Sequence, residues 1–112
     1  MSRYPLAAQA ANFPTPRRIS IEVIQKKVAE HFDLRQADMT SRRRPENIAF
    51  PRQIAMFLSR QMTETSLVVI GEAFGGRDHG TVLYACRSVK DRMESDPQVR
   101  QVVNGLEMRL SR

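Results

Sequence analysis

The sequence has few of the features that mark several common classes of protein. Its 112 residues include one cysteine, Cys86, which excludes an internal disulfide and leaves too few thiols for a typical zinc site. No apolar run approaches the length of a membrane span, and Gln9 and Asn12 interrupt the early apolar patch, so no signal peptide is indicated. We therefore expect a cytoplasmic protein without a metal, a cofactor or a membrane partner, in which Cys86 is a small core residue.

Length and charge narrow the function further. A chain of 112 residues can bury a modest helical core but has no room for an additional catalytic domain. Eighteen Lys and Arg against twelve Asp and Glu give a net charge of +6, which favours a polyanionic partner, nucleic acid above all. The arginines cluster at Arg17-Arg18, Arg42-Arg43-Arg44, Arg52 and Arg77, which indicates a directed basic surface.

The chain divides into a short leader and one domain. Residues 1–18 contain scattered prolines and no sustained period, so we expect a flexible or polyproline-like leader there and a folded domain over 19–112. Apolar residues at helical spacing predict an all-α bundle of about five to six helices in that domain. The first helix should follow Ser20 as its N-cap, with Gln25 on its polar side.

The middle of the domain is predicted to carry a basic loop between two helical segments. A short helical turn is expected over 35–40, and the basic loop follows at Ser41-Arg42-Arg43-Arg44-Pro45. A longer helix should begin between residues 47 and 51 and run to about residue 62, because proline is tolerated in a first helical turn. Three polar residues of that helix should face outward: Arg52, Gln53 and Arg60.

A helix-turn-helix is predicted over about residues 66–93, and Asp96-Pro97 opens a last helix. Leu67, Ile70 and Phe74 repeat at helical spacing, although the run 67–70 taken alone is ambiguous with a strand. Gly75-Gly76 stops the first helix and Asp78 can cap the second. In such units the start of the second helix faces the major groove of DNA. Five residues occupy that place here: Arg77, Asp78, His79, Gly80 and Thr81.

Three motifs closely resemble the C-terminal, origin-binding domain of the bacterial replication initiator DnaA. They are the basic loop over 41–44, the helix start over 51–56 and the segment over 70–87, and the resemblance extends from Ser20 to the end of the chain. It implies a Trp-repressor-like helical fold and sequence-specific binding of double-stranded DNA. The expected target is a short asymmetric initiator box containing A·T pairs, bound by one monomer in origin recognition or its regulation, in the nucleoid.

The resemblance also assigns roles to residues. It places Arg44 in the minor groove, where the narrow, negative A·T-rich groove attracts a guanidinium. Arg42 and Arg43 are as consistent with no more than general attraction to phosphates as with a specific contact, and solvated surface charge is the alternative for all three loop arginines. Asp78 and His79 match the base-contacting pair of the family, and Asp78 can serve as an N-cap as well. The remaining predicted contacts are to phosphates: Thr81, Arg52, Gln53, Arg60 and Arg77.

Four positions depart from the family pattern. Gly80 stands where a hydroxyl residue is common and Val68 where proline is usual, while Glu46 and Phe50 stand where basic residues can occur. A changed sequence preference or affinity for DNA is the expected consequence.

A phosphate-binding loop is one alternative to this interpretation. The run Gly71 to Asp78 is one register of a phosphate-binding loop, but it lacks the lysine and the hydroxyl, and Asp78 would repel a nucleotide. No catalysis and no small-molecule substrate are therefore expected. The chain is either a fragment of a full initiator or a free-standing regulator or competitor for initiator boxes. A drifted protein-interaction module without DNA specificity is the third alternative.

Overall fold

The computed structural model describes residues 19–42 and 45–112. These residues contain five α-helices, one 3-10 helix and no strand. The all-α prediction is confirmed, and residues 67–70 are helical. The predicted leader over 1–18 and two loop residues, Arg43 and Arg44, lie outside the described ranges. The elements in chain order are α1 (Ile21–His31), the 3-10 helix (Gln36–Met39), α2 (Glu46–Met62), α3 (Leu67–Ala73), α4 (His79–Ser95) and α5 (Pro97–Ser111).

Polar caps set the starts of most helices. The Ser20 hydroxyl accepts from the Val23 amide at 3.2 Å, and the Ser66 hydroxyl accepts from the Val69 amide at the same distance. The Asp96 carboxylate caps α5, whose first residue is Pro97. Each cap satisfies an amide that the helix leaves without an internal partner, so the boundaries follow from local chemistry.

The core is centred on α4, which packs against α2, α3 and α5. Val82 and Val89 of α4 are fully buried, and Cys86 and Met93 on the same face are partly buried, as the apolar spacing predicts. The side chains of Phe74, Ile54, Leu58 and Leu106 fill the space between the helices. None of the helices in the described ranges is both long and apolar enough to cross a bilayer.

The prediction that Gln25 lies on the polar side of α1 is wrong, because Gln25 is buried. Its side chain is 4% exposed, and its amide nitrogen donates to the Ala73 carbonyl at the end of α3, at 3.0 Å. A buried amide is tolerated when it is hydrogen-bonded. Gln25 thereby attaches α1 to the helix-turn-helix.

Candidate nucleic-acid interface

A tight glycine turn sets the angle between α3 and α4. Gly75 and Gly76 have φ values of +90° and +83°, a region that glycine enters without the cost of a Cβ. The Gly71 carbonyl accepts from the amides of Gly76, at 3.1 Å, and Arg77, at 2.9 Å. A Cβ on Gly71 would overlap the Arg77 carbonyl oxygen, so α3 approaches the turn as closely as backbone atoms allow.

The first turn of α4 projects into solvent. Asp78 is its N-cap, and its Oδ1 accepts from the Thr81 amide at 2.8 Å. This hydrogen bond is the main reason why the pKa of Asp78 lies below its ordinary value, with further help from the Thr81 side chain and the neighbouring His79. Residues 78–81 are all exposed, whereas Val82 is fully buried. The side chains predicted to contact bases are therefore accessible.

A half-open groove of about 610 Å³ runs beside this first turn. It lies between α2, the end of the 41–42 segment and α4, and it collects residues that are distant in sequence. Six of the predicted binding residues line it: Arg42, Arg52, Gln53, Arg77, Asp78 and Thr81.

Tyr84 is a groove residue that the sequence analysis did not select. It lies three residues after Thr81 on α4, its side chain is 66% exposed, and it lines the same groove. The signal was available in the sequence, because residues three apart on a helix share a face. Tyr84 adds an aromatic ring and a hydroxyl to the accessible surface beside Thr81.

The structure separates Arg60 from this groove. Arg60 is exposed near the end of α2, and its guanidinium donates to the Thr65 carbonyl at 2.9 Å, in the connection to α3. His79 and Gly80 are exposed on the first turn of α4, outside the residues that line the groove.

The prediction that the Arg52 side chain faces outward from α2 is wrong, because Arg52 is buried. It is 5% exposed, and its Nη1 donates to the carbonyls of Asp38, at 2.9 Å, and Ser41, at 3.1 Å. A guanidinium can be buried because these carbonyls offset its lost hydration. Helical spacing indicates this burial, since Arg52 follows Ile48 by four residues and precedes Ala55 by three, and both are buried.

Arg77 shares an acceptor with Arg52. Its Nη2 donates to the Ser41 carbonyl at 2.6 Å, and its Nη1 donates to the Phe74 carbonyl at the end of α3. The half-buried Arg77 side chain thus spans from the glycine turn to the start of the basic loop.

Two of the departures from the family pattern meet one arginine of α4. The Arg92 guanidinium lies 3.7 Å from the centre of the Phe50 ring, and a Glu46 carboxylate oxygen lies 3.9 Å from Arg92 Nη1. Cationic charge and an aromatic face attract one another. Glu46 and Phe50 therefore contact the last turn of α4 from the start of α2.

The described residues provide no group of three His, Cys, Asp or Glu side chains that could hold a metal ion. Cys86 is half-buried, and burial raises the pKa of its thiol above the ordinary value, while the charge of Arg60 acts in the opposite direction.

Comparisons with known proteins converge on one group. The family model described as the bacterial dnaA protein helix-turn-helix matches residues 21–89. The chain is 48% identical over 95 residues to the chromosomal replication initiator protein DnaA of Methylacidiphilum infernorum (isolate V4), covering 85% of this chain and 21% of that protein. It is 51% identical over 94 residues to the same initiator of Burkholderia multivorans, covering 84% of this chain and 18% of that protein.

A solved structure shares the fold. The crystal structure of a DNA replication initiation factor superposes with a TM-score of 0.73 at 32% identity, covering 81% of this chain and 28% of that chain. The chain thus spans about a fifth of the length of the curated relatives described above.

Proposed function

This chain belongs to the bacterial dnaA helix-turn-helix family, and from that membership we propose that it binds double-stranded DNA in replication initiation or its regulation. The observation that carries the proposal is the exposed first turn of α4 beside a groove that contains Arg42 and Arg77. Cationic side chains there attract the phosphate backbone, while the helix start is free to enter the major groove.

Base recognition is assigned to Asp78 and His79. The Asp78 carboxylate is ionised at neutral pH, as its lowered pKa also favours, and it can accept from the amino group of cytosine. The exposed imidazole of His79 can donate to an acceptor on a base edge. Together the two side chains would recognise the identities of two neighbouring base pairs.

We assign the positioning of the protein on the DNA backbone to polar groups that line the groove. Gln53 and Thr81 can donate to phosphate oxygens, and the exposed Arg42 supplies positive charge. Arg43 and Arg44 continue the basic loop, and the position of Arg44 in the family motif assigns it to an A·T-rich minor groove. The proposed target is a short asymmetric box containing A·T pairs, bound by one monomer.

The test is fluorescence anisotropy with a duplex that carries an initiator-type box and with a scrambled duplex, each titrated at several salt concentrations. We expect a preference for the box that persists as salt rises, because base contacts depend less on counterion release than phosphate contacts do. His79→Ala should reduce the preference by about 1–3 kcal/mol at one base pair.

His31→Ala is the matched control, since it removes the same side chain from the exposed end of α1, where the His31 ring rests edge-on against Phe32. It should leave the preference for the box unchanged. Equal and steeply salt-dependent binding of both duplexes would contradict base recognition. Absence of binding to either duplex would contradict the DNA-binding function and favour a protein-interaction module.

A further inference from the structure

Two arginines from different elements converge on one carbonyl group. Arg52 of α2 and Arg77 of the glycine turn both donate to the Ser41 carbonyl, at 3.1 Å and 2.6 Å. Ser41 directly precedes Arg42, the first arginine of the basic loop. The place where this loop begins is therefore bonded both to α2 and to the turn that starts α4.

A second contact joins the same two regions. Gly75 has a positive φ, and a Cβ at this position would overlap the Thr40 carbonyl oxygen, so the glycine turn lies directly on the backbone that precedes the loop. Arg52 adds a hydrogen bond to the Asp38 carbonyl in the preceding 3-10 helix. We call this set of contacts, formed by Thr40, Ser41, Arg52, Gly75 and Arg77, the Ser41 junction.

We propose that Arg52 is a positioning residue, which acts through the Ser41 junction to fix the start of the basic loop relative to the first turn of α4. The inference rests on the proposed DNA-binding function and refines it. If the loop and the α4 start are to meet adjacent grooves, their spacing must match the DNA. Fixing that spacing before binding reduces the entropy lost when the complex forms.

The chemistry of arginine suits this role. The two N–H bonds of Nη1 point in fixed directions within the planar guanidinium, so this one nitrogen of Arg52 donates to two carbonyls of the 38–41 segment at once. A side chain that is 5% exposed is poorly placed to reach a phosphate. Arg52 therefore holds the 38–41 backbone in place from inside the protein, while exposed side chains contact the DNA.

The first experiment uses the free protein. Hydrogen exchange by NMR is compared for wild type, Arg52→Gln and Arg52→Lys, with Arg60→Gln as the control on the exposed, distant end of α2. We expect faster exchange at the amides of residues 40–42 in both Arg52 variants, unchanged exchange in the cores of α2 and α4, and no change at 40–42 in Arg60→Gln. Unchanged exchange at 40–42 in the Arg52 variants would overturn the proposal.

Arg77→Gln provides a second route if the Arg52 variants do not fold. It removes the other donor to Ser41 from a less buried position, and we expect the same local increase in exchange at residues 40–42. An unchanged exchange pattern in a folded Arg77→Gln protein would overturn the role of the junction.

The second experiment separates positioning from a direct phosphate contact. The box duplex is prepared with single neutral methylphosphonate linkages at successive positions, and binding of wild type and Arg52→Lys is compared. Positioning predicts that Arg52→Lys weakens box binding on the order of tenfold, by a similar factor on every modified duplex. One linkage that abolishes the difference between the two proteins would identify a direct contact and overturn the proposal.

The two experiments also separate this proposal from the proposed function. If wild type shows no preference for the box, the DNA-binding function fails, whereas the exchange experiment on the free protein still reports whether Arg52 holds the loop. If wild type prefers the box and Arg52→Lys binds it equally well, the positioning role alone is overturned.

Discussion

The Gly71 carbonyl accepts a hydrogen bond from the Arg77 amide at 2.9 Å, and the Gly71 Cα lies so close to Arg77 that a Cβ would overlap the Arg77 carbonyl oxygen. We predict that Gly71→Ala destabilises the fold by about 1–3 kcal/mol, because backbone atoms must move to admit the methyl group. Urea unfolding followed by circular dichroism measures the change.

Gly105→Ala is the control for that substitution. Gly105 also lies within a helix, α5, but a Cβ there meets nothing within 4 Å. Alanine has the higher helix propensity, so Gly105→Ala should stabilise the protein by up to about 1 kcal/mol. Equal effects of the two substitutions would show that propensity, rather than the close approach at Gly71, determines the outcome.

The Asp78 cap should make stability depend on pH in the acidic range. Since hydrogen bonds from Thr81 lower the pKa of Asp78, the cap stabilises the folded state fully above the ordinary aspartate range and loses this effect as pH falls through the lowered pKa. Asp78→Asn keeps an oxygen acceptor but cannot titrate. The difference in unfolding free energy between wild type and Asp78→Asn should therefore shrink in acid. A difference that stays constant from neutral pH to strong acid would contradict the assignment.

The contact between Arg92 and Phe50 should be measurable by a double-mutant cycle with Arg92→Gln and Phe50→Leu. At 3.7 Å from the ring centre, the guanidinium should couple to the ring by about 0.5–1 kcal/mol. The Lys27 and Glu30 pair, exposed and 3.9 Å apart, provides a reference cycle that should give about 0.5 kcal/mol or less. Additive effects of Arg92→Gln and Phe50→Leu would show that the contact contributes nothing.

Cys86 should be a slowly reacting thiol. Burial raises its pKa, so less thiolate is present near neutral pH than in the unfolded chain, and the half-buried sulfur is less accessible as well. We expect iodoacetamide to label the folded protein more slowly than the protein in urea, with a rate that increases as pH rises. Equal rates in the two states would contradict the burial of Cys86.

Most helix positions were predictable because their causes are local. The exception is α2, which begins at Glu46, one residue before the predicted range, and carries Pro51 in its second turn. Ser20, Ser66 and Asp96 cap the helices that follow them, and apolar spacing identified the buried face of α4. The glycine turn was equally visible, since Gly75 and Gly76 adopt the positive φ values that end α3. These features each depend on residues a few positions apart.

The internal role of Arg52 was not predicted, because its partners come from another segment. Helical spacing places Arg52 on the buried face of α2, but a charged side chain is ordinarily assigned to solvent, and the sequence does not show that the carbonyls of Asp38 and Ser41 lie beside it. Gln25 was misplaced for the same reason, since its acceptor is the carbonyl of Ala73. In both cases tertiary hydrogen bonds outweigh the preference of a polar group for water.

Burial changes abruptly between Thr81 and Val82 at the start of α4. Residues 78–81 are exposed, whereas Val82, Ala85 and Val89 form part of the core. Substitutions at the exposed positions that follow the Asp78 cap, residues 79–81, should therefore cost little folding stability. For the proposed DNA-binding function, a laboratory library restricted to residues 79–81 could therefore search for new DNA targets while the cap and the core of α4 stay intact.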